Sequence, residues 1–355
     1  MLFRNLHERT QEPNTDDKVR FLSDPHSYPN APQEVDVIET HMSWVFLVGD
    51  LVYKLKKPVK HDFLDFSTLE RRCRAVQDEA RLNRRLAPGV YGDPLPITRG
   101  SDGHLALGGE ATIVDWLVVM QRLPDERNFQ TMAECEQLQP HHVARVANTL
   151  GEFYAALPVE SIEAMNYIAK YEAEYDQTKS VLEDTRLALD GARLRDALQA
   201  FEVDLKEMRQ SLGQRVEQGR VVEGHGDLRP QHIFLMDPPV IIDCLEFNRQ
   251  LRLVDPFDEI AFLGMEAVLL GADWVFAALA TQLAEALRLA TTRASCLLLA
   301  VPRASAGKAC ASSSGRRKTT HTGKVASPGL ALHRFGREGP CHDPAAGRSV
   351  TSRCS

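Results

Sequence analysis

The sequence predicts an α+β protein in which a small β-rich N-terminal lobe packs against a larger helical C-terminal lobe. Short β-rich runs occur before residue 124, helical periodicity dominates from about residue 139 to 218, and apolar helices are expected over 257–290. Strands that precede helices in this way are typical of the α+β class. A chain of 355 residues is long enough to form two such lobes.

The charge is divided unequally along the chain. Residues 291–355 contain 11 Lys and Arg but only 2 Asp and Glu, whereas the rest of the chain contains 31 and 47. The acidic body argues against nucleic acid or an anionic membrane surface as a partner. For the tail we predict a disordered basic segment, and an altered C-terminus, for example through a frameshift, is the alternative.

The chain contains no sign of a membrane or secretory segment. Its N-terminus lacks the long apolar core of a signal peptide, and the apolar region 260–290 is interrupted by Glu266, Asp273 and Glu285. The seven cysteines show no metal-ligand spacing, which favours ordinary thiols in a reducing compartment. We therefore expect a cytoplasmic protein.

Four segments follow from these patterns. Residues 1–33 are polar and contain four prolines, which predicts an irregular lead-in. Residues 34–123 form the predicted β-rich N-terminal lobe, and residues 124–290 form the predicted helical C-terminal lobe. Residues 291–355 are the basic tail.

The N-terminal lobe contains a predicted hairpin and helix. The runs 43–48 and 51–55 are separated only by Gly49 and Asp50, which is a strong hairpin signal. Residues 67–87 are predicted to be a helix, with Ser67 or Thr68 as the N-cap and Glu70 placed for a capping box. A third apolar run, 111–120, predicts a buried strand.

The most informative stretch combines His225-Gly-Asp-Leu-Arg-Pro-Gln-His232 with Ile241-Ile-Asp-Cys-Leu-Glu-Phe247. Two short strands joined by the turn 236–239 predict an antiparallel hairpin. If Leu235 lies opposite Val240, His232 falls opposite Asp243, about 5 Å away. Asp227 precedes the first strand at the same end. Two carboxylates and an imidazole placed together in this way suit metal-dependent phosphoryl transfer.

These strings resemble those of the aminoglycoside phosphotransferase and choline kinase-like family, which has the bilobal fold of the protein kinases. The resemblance runs from about residue 39 to 280 and is closest to uncharacterised bacterial members. It implies that the N-terminal lobe, 34–123, binds the nucleotide and that the C-terminal lobe, 124–290, carries the catalytic and metal loops. It implies that Asp227 is the catalytic residue that accepts the proton of the substrate hydroxyl, and that Asp243 binds metal. The segment 255–261 resembles the family's DPxxDLA string, in which Asp258 is expected to brace the catalytic loop.

The resemblance also implies a lysine on the ATP phosphates that is held by a helix glutamate. In the string Val52-Tyr-Lys-Leu-Lys56, Lys54 matches that lysine by position, and Lys56 on the same strand face is the alternative. The partner is predicted to be Glu79, with Asp78 as the less favoured candidate.

Three residues after the third strand are expected to form the hinge that binds adenine through its backbone. They are Gln121, Arg122 and Leu123.

The chain departs from the family pattern at two places. His232 stands where the family has Asn, so three roles stay open: contact with the metal through water, preference for Mn²⁺, or a structural bond to backbone. The loop 46–50 contains a single glycine, which argues against a protein kinase more than against ATP binding. His225 is expected to support the catalytic loop.

The sequence therefore predicts a phosphotransferase that uses ATP and Mg²⁺, with Mn²⁺ as a possible replacement. The predicted partner is a small-molecule acceptor with a hydroxyl group, such as an aminoglycoside, an amino alcohol or a sugar. Two alternatives are a nucleotide-binding pseudokinase with a regulatory role and an inactive product of an altered C-terminus. A metal hydrolase is disfavoured because it leaves the strand lysine and helix glutamate unexplained.

Overall fold

The structure of the protein is a computed structural model that describes residues 14–61, 64–184 and 191–288. Its N-terminal part is built on a six-stranded antiparallel sheet, and its C-terminal part is mainly helical. This architecture confirms the predicted α+β class with a β-rich lobe followed by a helical lobe. The predicted disordered tail, 291–355, lies outside the described residues.

The N-terminal sheet has the strand order β1-β2-β3-β8-β6-β7, and every neighbouring pair is antiparallel. Its strands are β1 (Asp36–Glu39), β2 (Ser43–Val48), β3 (Leu51–Lys56), β6 (Leu95–Arg99), β7 (Leu105–Leu107) and β8 (Thr112–Gln121). The other elements of this part are α1 (Thr15–Ser23), β4 (Lys60–His61), β5 (Leu64–Asp65) and α2 (Leu69–Asn83).

The sheet is covered on both faces. Val45, Val52 and Val118 pack with Val76 and Ala80 of α2. Residues on the opposite faces of the same strands, including Phe46, Leu55 and Leu117, pack with Leu22 at the end of α1. Strands β2, β3 and β8 carry apolar side chains at successive positions, so both faces need a covering element.

The predicted irregular lead-in is therefore wrong for its described part, because residues 15–23 form α1. Asn14 caps this helix in a capping box with Asp17. Lys18 is buried on the sheet side, where its Nζ lies 2.7 Å from Oδ2 of Asp115 on β8. Prolines at 25, 29 and 32 follow the helix and do not interrupt it.

The predicted hairpin and helix of this lobe are present. The hairpin is β2–β3, and Gly49 in its turn has a φ of +57°, which glycine adopts without strain. Thr68 is the N-cap of α2 and accepts a hydrogen bond from the Arg71 amide. The helix ends at Asn83 and not at residue 87, because residues 84–87 continue as turns before Pro88.

The C-terminal part packs its helices around one apolar core that includes Leu150, Tyr167, Leu212, Leu263 and Leu283. Its helices are α3 (Phe129–Glu134), α4 (Pro140–Ala156), α5 (Ala164–Leu182), α6 (Gly191–Glu217), α7 (Arg249–Arg252), α8 (Pro256–Leu269) and α9 (Val275–Ala286). Its strands are β9 (Val222–Glu223), β10 (Ile233–Phe234), β11 (Val240–Ile241) and β12 (Leu253–Val254).

The short hairpin β10–β11 exists, but its register differs by one residue from the prediction. Phe234, not Leu235, lies opposite Val240, and Ile233 lies opposite Ile241. The Leu235 amide instead donates a hydrogen bond to the Arg127 carbonyl, which removes Leu235 from the ladder. His232 therefore approaches Asp243 diagonally across the end of the hairpin.

The structure also bears on the predicted absence of a membrane-spanning helix and on the state of the cysteines. Within the described ranges, no helix is both long and apolar enough to cross a membrane. Cys73 and Cys244 are free thiols, as predicted.

The buried contact of Lys18 predicts a specific loss of stability. Replacing Lys18 by Met removes a charged hydrogen bond from a buried carboxylate, which then keeps only Arg72 as a cationic partner. We expect the free energy of unfolding to fall by about 2 kcal/mol, measured by urea denaturation. The control is Arg20→Met on the same helix, whose side chain is 79% exposed. Equal losses in both variants would show that the Lys18 contact does not hold α1 to the sheet.

Candidate active site

A row of alternating charges crosses from the N-terminal sheet to the loop after β11. Lys54 Nζ lies 2.8 Å from Oε1 of Glu79 and 2.7 Å from Oδ1 of Asp243. Lys56 Nζ lies 2.6 Å from Oε2 of Glu79 and 2.5 Å from Oε1 of Glu246. Lys54 and Lys56 reach Glu79 together because residues two apart on a strand share a face.

The predicted pairing of Lys54 with Glu79 is thus present in the structure, and Lys56 adds a second ion pair to the same carboxylate. Asp78, the less favoured partner, instead pairs with Arg81 on the exposed side of α2. Lys54 belongs to an inner strand and its side chain is only 15% exposed, so it is not a solvated lysine at a sheet edge.

Burial and charge act in opposite directions on this row. Burial alone would raise the pKa of Glu79, but the ammonium groups of Lys54 and Lys56 outweigh it and hold that pKa below its usual range. Asp243 behaves in the same way: burial opposes ionisation, and Lys54 is the largest of the groups that hold its pKa far below the ordinary value. Both carboxylates are therefore ionised at neutral pH.

Asp227 occupies the loop before β10, where the backbone needs an unusual conformation. Gly226 has a φ of +88°, and a Cβ at this position would lie 3.0 Å from Cγ of Arg252. His225 supports the loop from inside, as predicted. Its Nε2 donates to the Ile242 carbonyl at 2.9 Å, and its Nδ1 accepts from the Asp227 amide at 3.3 Å.

The carboxyl group of Asp227 is 18% exposed and faces other acids. Burial is the main cause that raises the pKa of Asp227 to about 7. The guanidinium of Arg229 lowers this pKa, whereas the neighbouring acids Asp243, Glu266 and Glu259 raise it further. Arg229 itself forms a two-pronged ion pair with Glu266, at 2.8 and 3.2 Å. A carboxyl group that titrates near neutrality can accept a proton from a hydroxyl group at physiological pH.

His232 lies between Asp227, the predicted catalytic residue, and Asp243, the predicted metal-binding residue. Its Nδ1 is 2.8 Å from the backbone carbonyl of Asp227, and its Nε2 is 3.7 Å from Oδ2 of Asp243. The ring is 2% exposed. The structure therefore brings together five residues that the sequence assigned to one predicted phosphotransfer site: Lys54, Glu79, Asp227, His232 and Asp243.

Glu259 braces the loop that carries Asp227, which corrects the expectation for Asp258. Glu259 accepts hydrogen bonds from the amides of His225, at 3.1 Å, and Gly226, at 2.5 Å. Tyr154 donates a third bond to the same carboxylate. Asp258 accepts from Tyr171 on α5. When Asp255 and Pro256 are aligned with the DP of the family's DPxxDLA string, Glu259, and not Asp258, falls on the second Asp of that string.

Asp243 has a φ of +64°, which is strained for a residue with a Cβ. Two side chains from the N-terminal part fix this backbone. The hydroxyl of Tyr91 accepts from the Asp243 amide at 3.3 Å, and Oδ1 of Asn83 accepts from the Cys244 amide at 2.8 Å. Asn83 also donates to the Glu79 carbonyl, so it connects the helix glutamate to the loop after β11.

Three further residues belong to the site although they were not among those predicted from the sequence: Asn83, Tyr91 and Glu246. Asn83 follows Glu79 by four residues and therefore lies on the same face of α2, which is a signal that helical spacing could have provided. Tyr91 and Glu246 approach the site only through the packing of the two parts, so no local pattern indicates them.

The three predicted hinge residues follow β8 directly. The Gln121 amide donates to the Val90 carbonyl, and the Arg122 amide donates to the Asp50 carbonyl, both at 2.8 Å. Among these three residues in the described structure, only Leu123 has an amide without an acceptor inside the protein. Its side chain packs with the apolar cluster shared by the sheet and the β10–β11 hairpin. Backbone binding of a base is thus restricted to the Leu123 amide and to carbonyl groups.

The donor set at Asp243 suits a divalent cation that also binds phosphate. Over the described ranges, no three His, Cys, Asp or Glu side chains are grouped so that they could hold a metal by themselves. Asp243 and His232 instead offer one oxygen and one nitrogen. Metal ions of phosphotransferases commonly take one or two protein ligands and complete their shell with phosphate and water, so two donors fit.

Comparison with known proteins gives relatives without an assigned activity. No family model matches the chain. Uncharacterized proteins of Mycobacterium bovis and Mycobacterium tuberculosis are 35% identical to it over 243 residues, which is 67% of this chain and 46% of theirs. The chain thus spans about half the length of the curated relatives it matches.

Solved structures similar to the chain are kinases and phosphotransferases of small molecules. A choline/ethanolamine kinase family protein from Mesorhizobium loti has 13% identity and a TM-score of 0.39, and the match covers 82% of this chain and 94% of that one. The choline kinase of Cryptosporidium parvum has 10% identity and a TM-score of 0.44, and the match covers 81% of this chain and 86% of that one. An aminoglycoside phosphotransferase of Streptomyces rimosus was solved with ADP and streptomycin. It has 17% identity and a TM-score of 0.39, and the match covers 76% of this chain and 92% of that one.

The raised pKa of Asp227 predicts that an isosteric amide stabilises the protein at neutral and alkaline pH. Between the ordinary pKa near 3.8 and about 7, the folded protein keeps Asp227 protonated while the unfolded chain ionises it, so stability falls as pH rises. Without nucleotide or metal at pH 8, the free energy of unfolding of Asp227→Asn should be about 2–4 kcal/mol higher than that of the wild type. This difference should vanish below pH 4.

Urea denaturation at a series of pH values measures this difference. The matched control is Asp273→Asn in the exposed turn between α8 and α9. It should follow the wild-type profile at every pH. A constant difference between Asp227→Asn and the wild type over pH 4–8 would contradict the assignment of the titration to Asp227.

Proposed function

We propose that the protein transfers the γ-phosphate of ATP to a hydroxyl group of a small molecule. The observation that carries the proposal is the contact of Lys54 with both Glu79 and Asp243, at 2.8 and 2.7 Å, beside the Asp227 loop. A lysine held by a helix glutamate, next to a metal-binding aspartate and a catalytic aspartate, is the arrangement by which protein kinases position ATP. A metal hydrolase has no use for this lysine–glutamate pair.

The chain's own groups divide the work of transfer between them. Lys54 presents an ammonium group that neutralises phosphate oxygens, and Glu79 fixes its position. Asp227, in its deprotonated form, accepts a hydrogen bond from the acceptor hydroxyl and takes its proton as the oxygen attacks the γ-phosphorus. Its pKa of about 7 keeps a useful fraction of this base available at neutral pH.

Asp243 and His232 are the residues that would hold the divalent cation, Mg²⁺ or Mn²⁺. A cation bound there would supply positive charge that neutralises the phosphate groups of the nucleotide. The strained φ of Asp243 supports this role, because such backbone persists where the surroundings over-determine it and is concentrated at functional sites. The amide of Leu123 and the hinge carbonyls are left for the adenine base.

The acceptor is proposed by class only. An aminoglycoside, an amino alcohol or a sugar presents the required hydroxyl group, and the acidic body of the chain is compatible with a cationic acceptor.

Two aspartate variants separate binding from chemistry. A thermal-shift titration with ATP and either metal should stabilise the wild type by about 2.7 kcal/mol at 100 times the dissociation constant. Asp243→Asn should lose most of this shift, because its ionised carboxylate binds the cation. Asp227→Asn should keep the shift but lower the rate of ADP release with an effective acceptor by about 10²–10⁴-fold, the usual contribution of a general base.

Asp273→Asn serves again as the matched control and should retain both the shift and the transfer. Screening aminoglycosides, amino alcohols and sugars for acceptor-dependent ADP release identifies the substrate class. Full transfer by both Asp227→Asn and Asp243→Asn would contradict the assigned roles. A metal-dependent shift in the wild type without transfer to any acceptor would instead favour the regulatory pseudokinase.

A further inference from the structure

The tautomer of His232 is fixed by its contacts. Its Nδ1 lies 2.8 Å from the backbone carbonyl of Asp227, and a carbonyl oxygen can only accept a hydrogen bond. The proton of the neutral imidazole therefore resides on Nδ1. The other nitrogen, Nε2, carries a lone pair and lies on the side of Asp243.

The ring is well shielded from water, with 2% of the residue exposed. A second ring proton, on Nε2, would lack a hydrogen bond to the facing carboxylate, because Oδ2 of Asp243 is 3.7 Å away. The hydrogen-bond geometry thus favours a neutral imidazole whose Nε2 lone pair is available to a cation.

Two acceptors consequently face each other across the site. Nε2 of His232 and Oδ2 of Asp243 are 3.7 Å apart, which is too far for a direct hydrogen bond. Oδ1 of the same carboxylate is occupied by Lys54, whereas Oδ2 is on the side of the imidazole. A lone pair and an anionic oxygen at this separation repel each other unless a cation lies between them.

The surroundings of the ring match those of a metal-ligating histidine. Such a histidine donates its other ring N–H to a carboxylate, a backbone carbonyl or water, which fixes the tautomer and orients the ring. The bond from Nδ1 to the Asp227 carbonyl is a contact of this kind. It also ties the orientation of the ring to the loop that carries Asp227.

We propose that Nε2 of His232 is a direct ligand of the nucleotide-bound cation, and that the site therefore prefers a transition-metal dication such as Mn²⁺ over Mg²⁺. This inference rests on the proposed function. Mg²⁺ is a hard ion that favours oxygen donors, whereas imidazole nitrogen binds first-row transition metals more strongly. The mixed oxygen and nitrogen donor set distinguishes the two ions chemically.

Pulsed electron paramagnetic resonance on Mn²⁺ tests the ligand directly. The full chain is incubated with Mn²⁺ and ADP, once with natural histidine and once with ¹⁵N-labelled histidine. Electron spin-echo envelope modulation should show nitrogen coupling to Mn²⁺ that changes from the ¹⁴N to the ¹⁵N pattern on labelling. Because only histidine is labelled, nitrogen atoms of adenine do not produce this change.

Two other results have different meanings. Binding of Mn²⁺ and ADP without a label-dependent coupling would overturn the imidazole ligand and leave the proposed function intact. Failure of the protein to bind ADP with any metal would overturn the proposed function and this inference with it.

A variant pair then tests the preference. The affinity for ADP with Mn²⁺ and with Mg²⁺ is measured for the wild type, His232→Asn and the control His104→Asn, whose side chain is exposed in the turn between β6 and β7. His232→Asn should reduce the Mn²⁺-to-Mg²⁺ affinity ratio roughly ten- to a hundredfold, and the control should leave it unchanged. An unchanged ratio in a folded His232→Asn variant would contradict the proposal.

Discussion

The shared carboxylate of Glu79 is the constraint on which the site depends. It is 2% exposed and contacts the ammonium groups of Lys54 and Lys56, which in turn reach Asp243 and Glu246. Ionised groups can be buried only when each has a partner, and here positive and negative charges alternate along the whole row. Loss of any inner member leaves a buried charge without compensation. The row therefore fixes β3, α2 and the loop after β11 in one arrangement.

The backbone of the loop after β11 is held from the same side. Asn83 connects the carbonyl of Glu79 to the amide of Cys244, and Tyr91 accepts from the amide of Asp243. These contacts stabilise a φ of +64° at Asp243 that its side chain disfavours. Helix α2 thus positions both Lys54, through Glu79, and the backbone around Asp243, through Asn83. Geometry at the site depends on the packing of the N-terminal sheet against the β10–β11 hairpin.

The sequence predicted the elements and most site residues because local patterns encode them. Alternation along β3 places Lys54 and Lys56 on one face, and helical spacing brings Glu79 to them. The sequence did not predict that Lys56 also pairs with Glu246, because the two residues are 190 positions apart. Helix α1 was not predicted because prolines before and after it suggested a loop. The helix is stabilised by packing on the outer face of the sheet, and such a tertiary contact leaves no local pattern in the sequence. The one-residue error in the β10–β11 register arose because Leu235 bonds outside its hairpin, which strand pairing alone cannot indicate.

In the proposed function, Lys54, held by Glu79 and Asp243, faces the nucleotide phosphates, whereas Lys56 positions Glu79 and Glu246. Calorimetric titration of ADP with Mn²⁺ into Lys54→Met and Lys56→Met distinguishes the two lysines, and urea denaturation confirms that each variant is folded. We expect Lys54→Met to lose nucleotide affinity out of proportion to any loss of stability. Lys56→Met should unfold at lower urea yet still bind ADP measurably. Wild-type affinity in a folded Lys54→Met variant would contradict the claim.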